Sequence, residues 1–286
     1  MDYDSQGSRN RISPMASHAP SEQAESAPTP PVIRGVPADE RRALVIGASS
    51  GMGAALVKQL ASEGYSVAAV ARRQEALDQL AEECADACDR TGGVVHVHAH
   101  DVKDTEEVAG LFEEIVRELG GLDLVVYAAG VMPSVERDQF DTEIDHEILA
   151  VNLGGCVAWG NVTARLFHTQ RRGTLVGISS IAGVRGRKGQ PVYGTSKAGM
   201  DHYLEALRNR LADVGAHVCT IKPGFVDTPM TEGLGLKGAI SAEEAARQIL
   251  RAARSRAGTR YVPLKWAAVA LVVRYIPSFL FKRLNI

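Results

Sequence analysis

At 286 residues, 45% of them hydrophobic, the chain is long enough to bury one large core and needs no more than one catalytic domain. Its formal charge of −2 comes from 32 basic and 34 acidic side chains interspersed along the chain, which excludes the one-signed field that steers nucleic acid. Four cysteines, Cys84, Cys88, Cys156 and Cys219, have neither the density of a disulfide scaffold nor a Cys-x-x-Cys pair, so reduced thiols in the cytoplasm are expected.

Residues 1–40 are dominated by Ser, Pro, Ala, Gln and Glu, and a disordered N-terminal extension is expected there. It lacks the apolar stretch of a secretory signal, and Met15 is a second candidate start beside Met1. From residue 41 the pattern becomes regular. Short runs rich in Val and Ile, at 43–46, 66–70, 94–99, 122–127, 174–178, 217–221 and near Tyr261, alternate with segments of helical period at 52–63, 74–87, 105–119, 142–167, 192–214 and 242–254. This alternation predicts parallel strands joined by crossover helices, and near-continuous apolar strands predict a sheet covered on both faces. The fold expected is α/β: a Rossmann-like, doubly wound parallel sheet of about seven strands, its ligand at the carboxyl ends of the strands. It would form a single domain over 41–263, followed by a C-terminal amphipathic segment over 264–286.

Directly after the first strand comes Gly47-Ala48-Ser49-Ser50-Gly51-Met52-Gly53, opening into a helix. Glycines let the backbone turn tightly and approach an anion, and the free amides of a helix start point at a pyrophosphate. A dinucleotide phosphate is expected on this turn, with Ser49, Ser50 and Met52 beside the glycines. The second strand ends in Val70-Ala71-Arg72-Arg73. No carboxylate stands there to hold a ribose 2′-hydroxyl, and Arg72 and Arg73 are placed to grip a 2′-phosphate, which predicts NADP, with NADPH preferred over NADH.

Tyr193 and Lys197 lie four apart in a helical segment and so share a face. A ketone that accepts a hydride needs a proton at its developing alkoxide, and a tyrosine can deliver it where a nearby positive charge favours the phenolate. Tyr193 is the candidate general acid/base and Lys197 the residue that tunes it.

The ordered set of Gly47, Gly51 and Gly53, then Asn152, Ser180 and Tyr193-x-x-x-Lys197, resembles the ordinary, non-extended short-chain dehydrogenase/reductase family over roughly 42–262. The resemblance implies an NADP(H)-dependent oxidoreductase that interconverts a small-molecule carbonyl and a secondary alcohol. It implies that Lys197 also binds the nicotinamide ribose, that Ser180 steadies the substrate oxygen, with Ser179 as the competing hydroxyl, and that Asn152 bends its helix and holds a water in the proton relay. Asp101 and Val102 would contact the adenine, Ala129 and Gly130 would approach the cofactor, and Pro223, Gly224, Val226 and Thr228 would lie along the nicotinamide carboxamide. Helices over 142–167 and 192–214 resemble those that pair subunits in the family, so a homodimer or homotetramer is implied. Two positions depart from the family pattern. Tyr127-Ala128-Ala129-Gly130 stands where Asn-Asn-Ala-Gly is usual, and Ile46 stands where a threonine precedes the glycine turn.

His96, His98 and His100 alternate on the third strand and could gather a metal, but a tyrosine-based reaction needs none; no metal is expected, and the rings are placed beneath the neighbouring helix. The glycine-rich 231–238 stretch has the composition of a mobile lid. The apolar run at 266–273 is too short to cross a bilayer. The segment that holds it would pack on the domain or on a partner subunit, or make peripheral membrane contact. Two other functions stand beside the reductase: a cofactor-sensing binding protein, which would be expected to have lost Tyr193 or Lys197, and an epimerase or dehydratase of the extended branch, whose glycine spacing is missing.

Overall fold

The computed structural model describes residues 41–233, 235 and 237–284. The expected N-terminal extension lies outside the described residues, as do Leu234 and Leu236 of the expected lid. The chain runs β1 (Arg42–Ile46), α1 (Gly51–Ser62), β2 (Ser66–Ala71), α2 (Gln74–Thr91), β3 (Val94–Ala99), α3 (Val108–Leu119) and β4 (Leu124–Tyr127). It continues through α4 (Thr142–Leu149), α5 (Gly155–Gln170), β5 (Thr174–Ile178), α6 (Pro191–Leu211), β6 (His217–Pro223), the short pair β7 (Val226–Asp227) and β8 (Ile240–Ser241), α7 (Ala242–Arg254), β9 (Thr259–Val262), α8 (Trp266–Tyr275) and α9 (Ser278–Phe281).

Seven parallel strands form one sheet in the order β3-β2-β1-β4-β5-β6-β9. Strand side chains alternate between faces, and both faces here are buried. Ala43 and Val45 of β1 enter a core with Leu56 and Leu60 of α1 and Ile249 of α7, whereas Leu44 and Ile46 enter a second core with Ile115 of α3, Trp159 of α5 and Leu204 of α6. The strand order reverses between β1 and β4, and in a doubly wound sheet the ligand crevice opens at such a reversal.

Two expected elements differ in detail. The helix expected over 142–167 is divided: α4 and α5 are joined by a π-helical turn, Ala150–Gly154. The extra residue in that turn frees backbone groups that side chains must satisfy. Val131 is bound twice by Asn152, whose Oδ1 accepts from Val131 N at 2.7 Å and whose Nδ2 donates to Val131 O at 3.0 Å. Tyr127 donates its hydroxyl to the Val151 carbonyl at 2.6 Å. Tyr127 is the departure from the family's asparagine noted above, and Gly155 makes room for it, because a Cβ there would strike the Tyr127 hydroxyl. The bracing lost with an amide is supplied by a phenol from the same strand. The strand expected from residue 122 begins instead at Leu124; just before it, the Asp123 backbone bonds Arg42 O and Thr174 N on either side, and its carboxylate pairs with the buried Arg42 at 3.0 Å.

The segment after β9 packs on the domain through its inner side. Trp266 meets Phe225 edge to face at 4.7 Å between ring centroids, and Ala270 is buried. Arg185, just beyond the 3-10 turn Ile181–Val184, donates to the carbonyls of Val273, at 2.9 Å, and Ile276, and lies 4.0 Å from the centroid of the Phe281 ring. No helix among the described residues is long and apolar enough to cross a membrane. All four cysteines are free thiols; Cys84, Cys156 and Cys219 are buried and Cys88 is partly so.

Candidate active site

At the β1–β4 reversal a cleft of about 210 Å³ opens along the carboxyl ends of the strands. Its floor is the turn from β1 into α1. Gly47 has φ +88, where only glycine is unstrained, and a Cβ there would collide with the Ala129 amide. A Cβ on Gly53 would collide with the Gly47 carbonyl. Helix α1 starts with no side-chain cap on its first amides and no acid in its first turn, which leaves its amides and the helix dipole for an anion. This glycine cradle beneath open amides fits the pyrophosphate of a dinucleotide.

Around the cleft stand Ser49, Ser50, Gly51 and Met52 of the turn, Arg72 and Arg73 after β2, Asp101 and Val102 after β3, Ala129 and Gly130 after β4, and Thr228. Arg73 donates to the Ser49 hydroxyl at 3.0 Å, and Arg72 lies 3.8 Å from the Asp101 carboxylate, so both guanidiniums face the same rim. Pro223, Gly224 and Val226, expected along the nicotinamide, do not line the cleft: Val226 is buried in the core and Gly224 is covered by the Trp266 indole. Pro229 and Met230, from the 229–240 segment that the family resemblance assigns to the substrate site together with 184–191 and the C-terminal segment, also line the cleft, as do His100 and Val131, which sequence reasoning missed as cleft residues. The alternation that marked His100 as a strand residue gave no hint that it sits at the strand's mouth, edge to face with Trp159.

The four candidate chemical residues converge deeper in. Tyr193 and Lys197 are both buried, on one face of α6, with Nζ 5.8 Å from the Tyr193 ring centroid. Lys197 donates to the Ile178 carbonyl at 2.9 Å, and burial lowers its pKa to about 8. Nζ also stands behind the cleft-lining Gly130, 3.4 Å from where a Cβ would lie. Ser180 stands beside Tyr193 with its Oγ accepting from Ala182 N at 3.0 Å, whereas Ser179 turns inward and donates to the Lys197 carbonyl at 3.2 Å. Burial pushes the Tyr193 pKa above its usual value, with Ser180 and then Arg187 pulling the other way. Arg187 had no motif to announce it. Asn152 is fully buried and bound to Ser196 as well as to Val131, through Nδ2 to Oγ at 3.1 Å. His96 and His98 both bind Glu118, at 2.8 and 2.9 Å, and among the described residues no cluster of three or more metal-ligating side chains occurs.

A parallel doubly wound sheet carrying a glycine cradle at its switch point defines a dinucleotide-binding protein. Residues 41–237 match the family model described as short chain dehydrogenase, and the chain belongs to that family of oxidoreductases, which bind a nicotinamide cofactor and act on small molecules. It is 33% identical to carbonyl reductase family member 4 of Xenopus tropicalis over 190 residues, 66% of this chain and 77% of the relative. To a 3-oxoacyl-[acyl-carrier-protein] reductase of Thermotoga maritima it is 31% identical over 191 residues, 67% of this chain and 76% of the other. A solved short-chain type dehydrogenase/reductase from Mycobacterium marinum superposes with a TM-score of 0.70 at 28% identity, covering 77% of this chain and 92% of that one.

Proposed function

We propose that the protein is an NADPH-dependent reductase of carbonyl compounds, working reversibly on the corresponding secondary alcohols. The observation that carries this reading is the grouping of Ser180 with the buried Tyr193 and Lys197, which share one face of α6, Lys197 Nζ lying 5.8 Å from the Tyr193 ring centroid. The bound nicotinamide supplies or takes the hydride. Tyr193 handles the proton: its raised pKa keeps the phenol protonated at neutral pH, ready to donate to a developing alkoxide. Ser180 orients the substrate oxygen against that phenol. Lys197, largely protonated below its pKa of about 8, places a positive charge between the proton donor and the cofactor cleft. Asn152 holds the strand-to-helix segment at Val131 in place beside them. Arg72 and Arg73 grip the 2′-phosphate, and the assembly is a homodimer or homotetramer formed through α5 and α6.

Titration with NADPH and NADH, followed by NADPH oxidation against ketones, aldehydes and 3-oxoacyl compounds, tests the reading. Tyr193→Phe is expected to abolish turnover and leave NADPH affinity within about twofold, since only the proton donor is removed. Full activity in that variant would overturn the mechanism. Cofactor binding by the native chain without turnover of any carbonyl would favour the cofactor-sensing alternative.

A further inference from the structure

We propose that the outer face of α8 and α9 docks on an anionic lipid surface. Helix α8 is apolar all round, and only its inner side is used: Ala270 is 2% exposed, while Leu271, Val272 and Tyr275 are 61%, 63% and 72% exposed. With Ala268 these residues follow i, i+3, i+4, i+7 spacing and form one stripe along the helix. Leu264, Phe279, Leu280 and Leu284 extend it, so that among the described residues eight of the eleven large apolar side chains left exposed lie between 264 and 284. A patch so concentrated marks an interaction surface.

Charge decides what covers it. Residues 264–286 hold Lys265, Arg274, Lys282 and Arg283 and no acidic residue. Asp201 and Glu205 of α6 line a cavity together with Leu271 and Arg274 of α8, so these acids meet the segment along its α6 edge, where Arg274 is the cation beside them. Lys222 neutralises Asp201 at 2.8 Å. A second copy seated by two-fold symmetry would set this wholly basic segment against itself, which costs energy, whereas lipid phosphates complement it. Leucine, valine and phenylalanine side chains between such cations would enter the acyl boundary, with Tyr275 at the headgroup level. Arg185 fixes the orientation. By holding the carbonyls of Val273 and Ile276, it ties the docking face to the turn that follows Ser180.

The test is flotation of the full chain with vesicles of phosphatidylcholine alone and of equal parts phosphatidylcholine and phosphatidylglycerol, read without any activity assay. The chain is expected to float with the phosphatidylglycerol vesicles at least about tenfold better than with the neutral ones, and added salt should weaken that binding. Leu271→Glu with Val272→Glu should lower it by about tenfold or more, and Lys282→Glu with Arg283→Glu should remove the preference for the anionic lipid. All four positions are exposed, and circular dichroism of the variants confirms that they fold. Absence of flotation with both vesicles, or flotation indifferent to Leu271→Glu and Val272→Glu, overturns the proposal. So would a native chain that stays off vesicles but loses oligomer mass in that variant, which would assign the face to a second copy.

Discussion

Lys197 illustrates a conflict between stability and chemistry held in one side chain. Its folded-state pKa of about 8 lies below the 10.5 of an unperturbed lysine, so between those values the unfolded chain binds more protons and stability rises with pH. Below pH 8 the buried ammonium carries its full penalty, on the order of 3 kcal/mol, against about 1 kcal/mol returned by its bond to Ile178. Lys197→Met should therefore raise stability by about 2 kcal/mol at pH 7, with the gain narrowing from pH 8 toward 10, while carbonyl reduction is lost. Urea unfolding at several pH values checks the stability half; a variant less stable than the native chain at pH 7 would refute it. In the native enzyme, reduction should fall as pH passes about 8 and Lys197 loses its proton. Lys197→Arg, always charged, should move any descending limb it preserves to higher pH. Arg72→Ala should weaken NADPH far more than NADH, by about tenfold or more for a lost charge-assisted phosphate contact. Equal losses would remove Arg72 from 2′-phosphate recognition.

At the scale of elements, the strand and helix order was legible because both signals were strong: Val- and Ile-rich runs at period 2, and amphipathic segments between glycines. The glycine turn was legible because it needs particular residues, not merely apolar ones. What the sequence concealed were pairings between distant side chains. Asp123 looked like a residue inside a strand, and only the fold brings it to Arg42. The helix over 142–167 read as continuous because a π-helical turn inserts a single residue and leaves the apolar period almost intact; its partner Tyr127 lies on another element. Helix α8 read as amphipathic, but its apolar residues surround it, and the polar groups that hold it belong to Arg185. Arg185→Ala should leave the sheet intact and loosen α8 and α9, seen as several-fold faster tryptic cleavage after Lys265 and Arg274. Unchanged cleavage would mean that Trp266 and Ala270 alone hold the segment.

Across the whole molecule, the doubly wound sheet gathers groups from the ends of β1, β2, β3 and β4 into one cleft while its two cores carry the stability. The four thiols are distributed through those cores and the helices over them, and this has a consequence for how the protein meets oxidants. Burial pushes Cys84 and Cys219 up to about 11 and Cys156 up to about 12, and it raises Cys88 as well. Nucleophilic attack on peroxide or a disulfide requires thiolate, which none of the four supplies at neutral pH. The folded chain should react slowly, if at all, with an aromatic disulfide reagent, Cys88 first, and release four equivalents only on unfolding. Rapid native-state labelling of two or more thiols would contradict this. Peroxide that disarms cysteine-dependent enzymes should therefore leave this one working, so that its output follows the supply of reduced nicotinamide and not the oxidation of its own side chains.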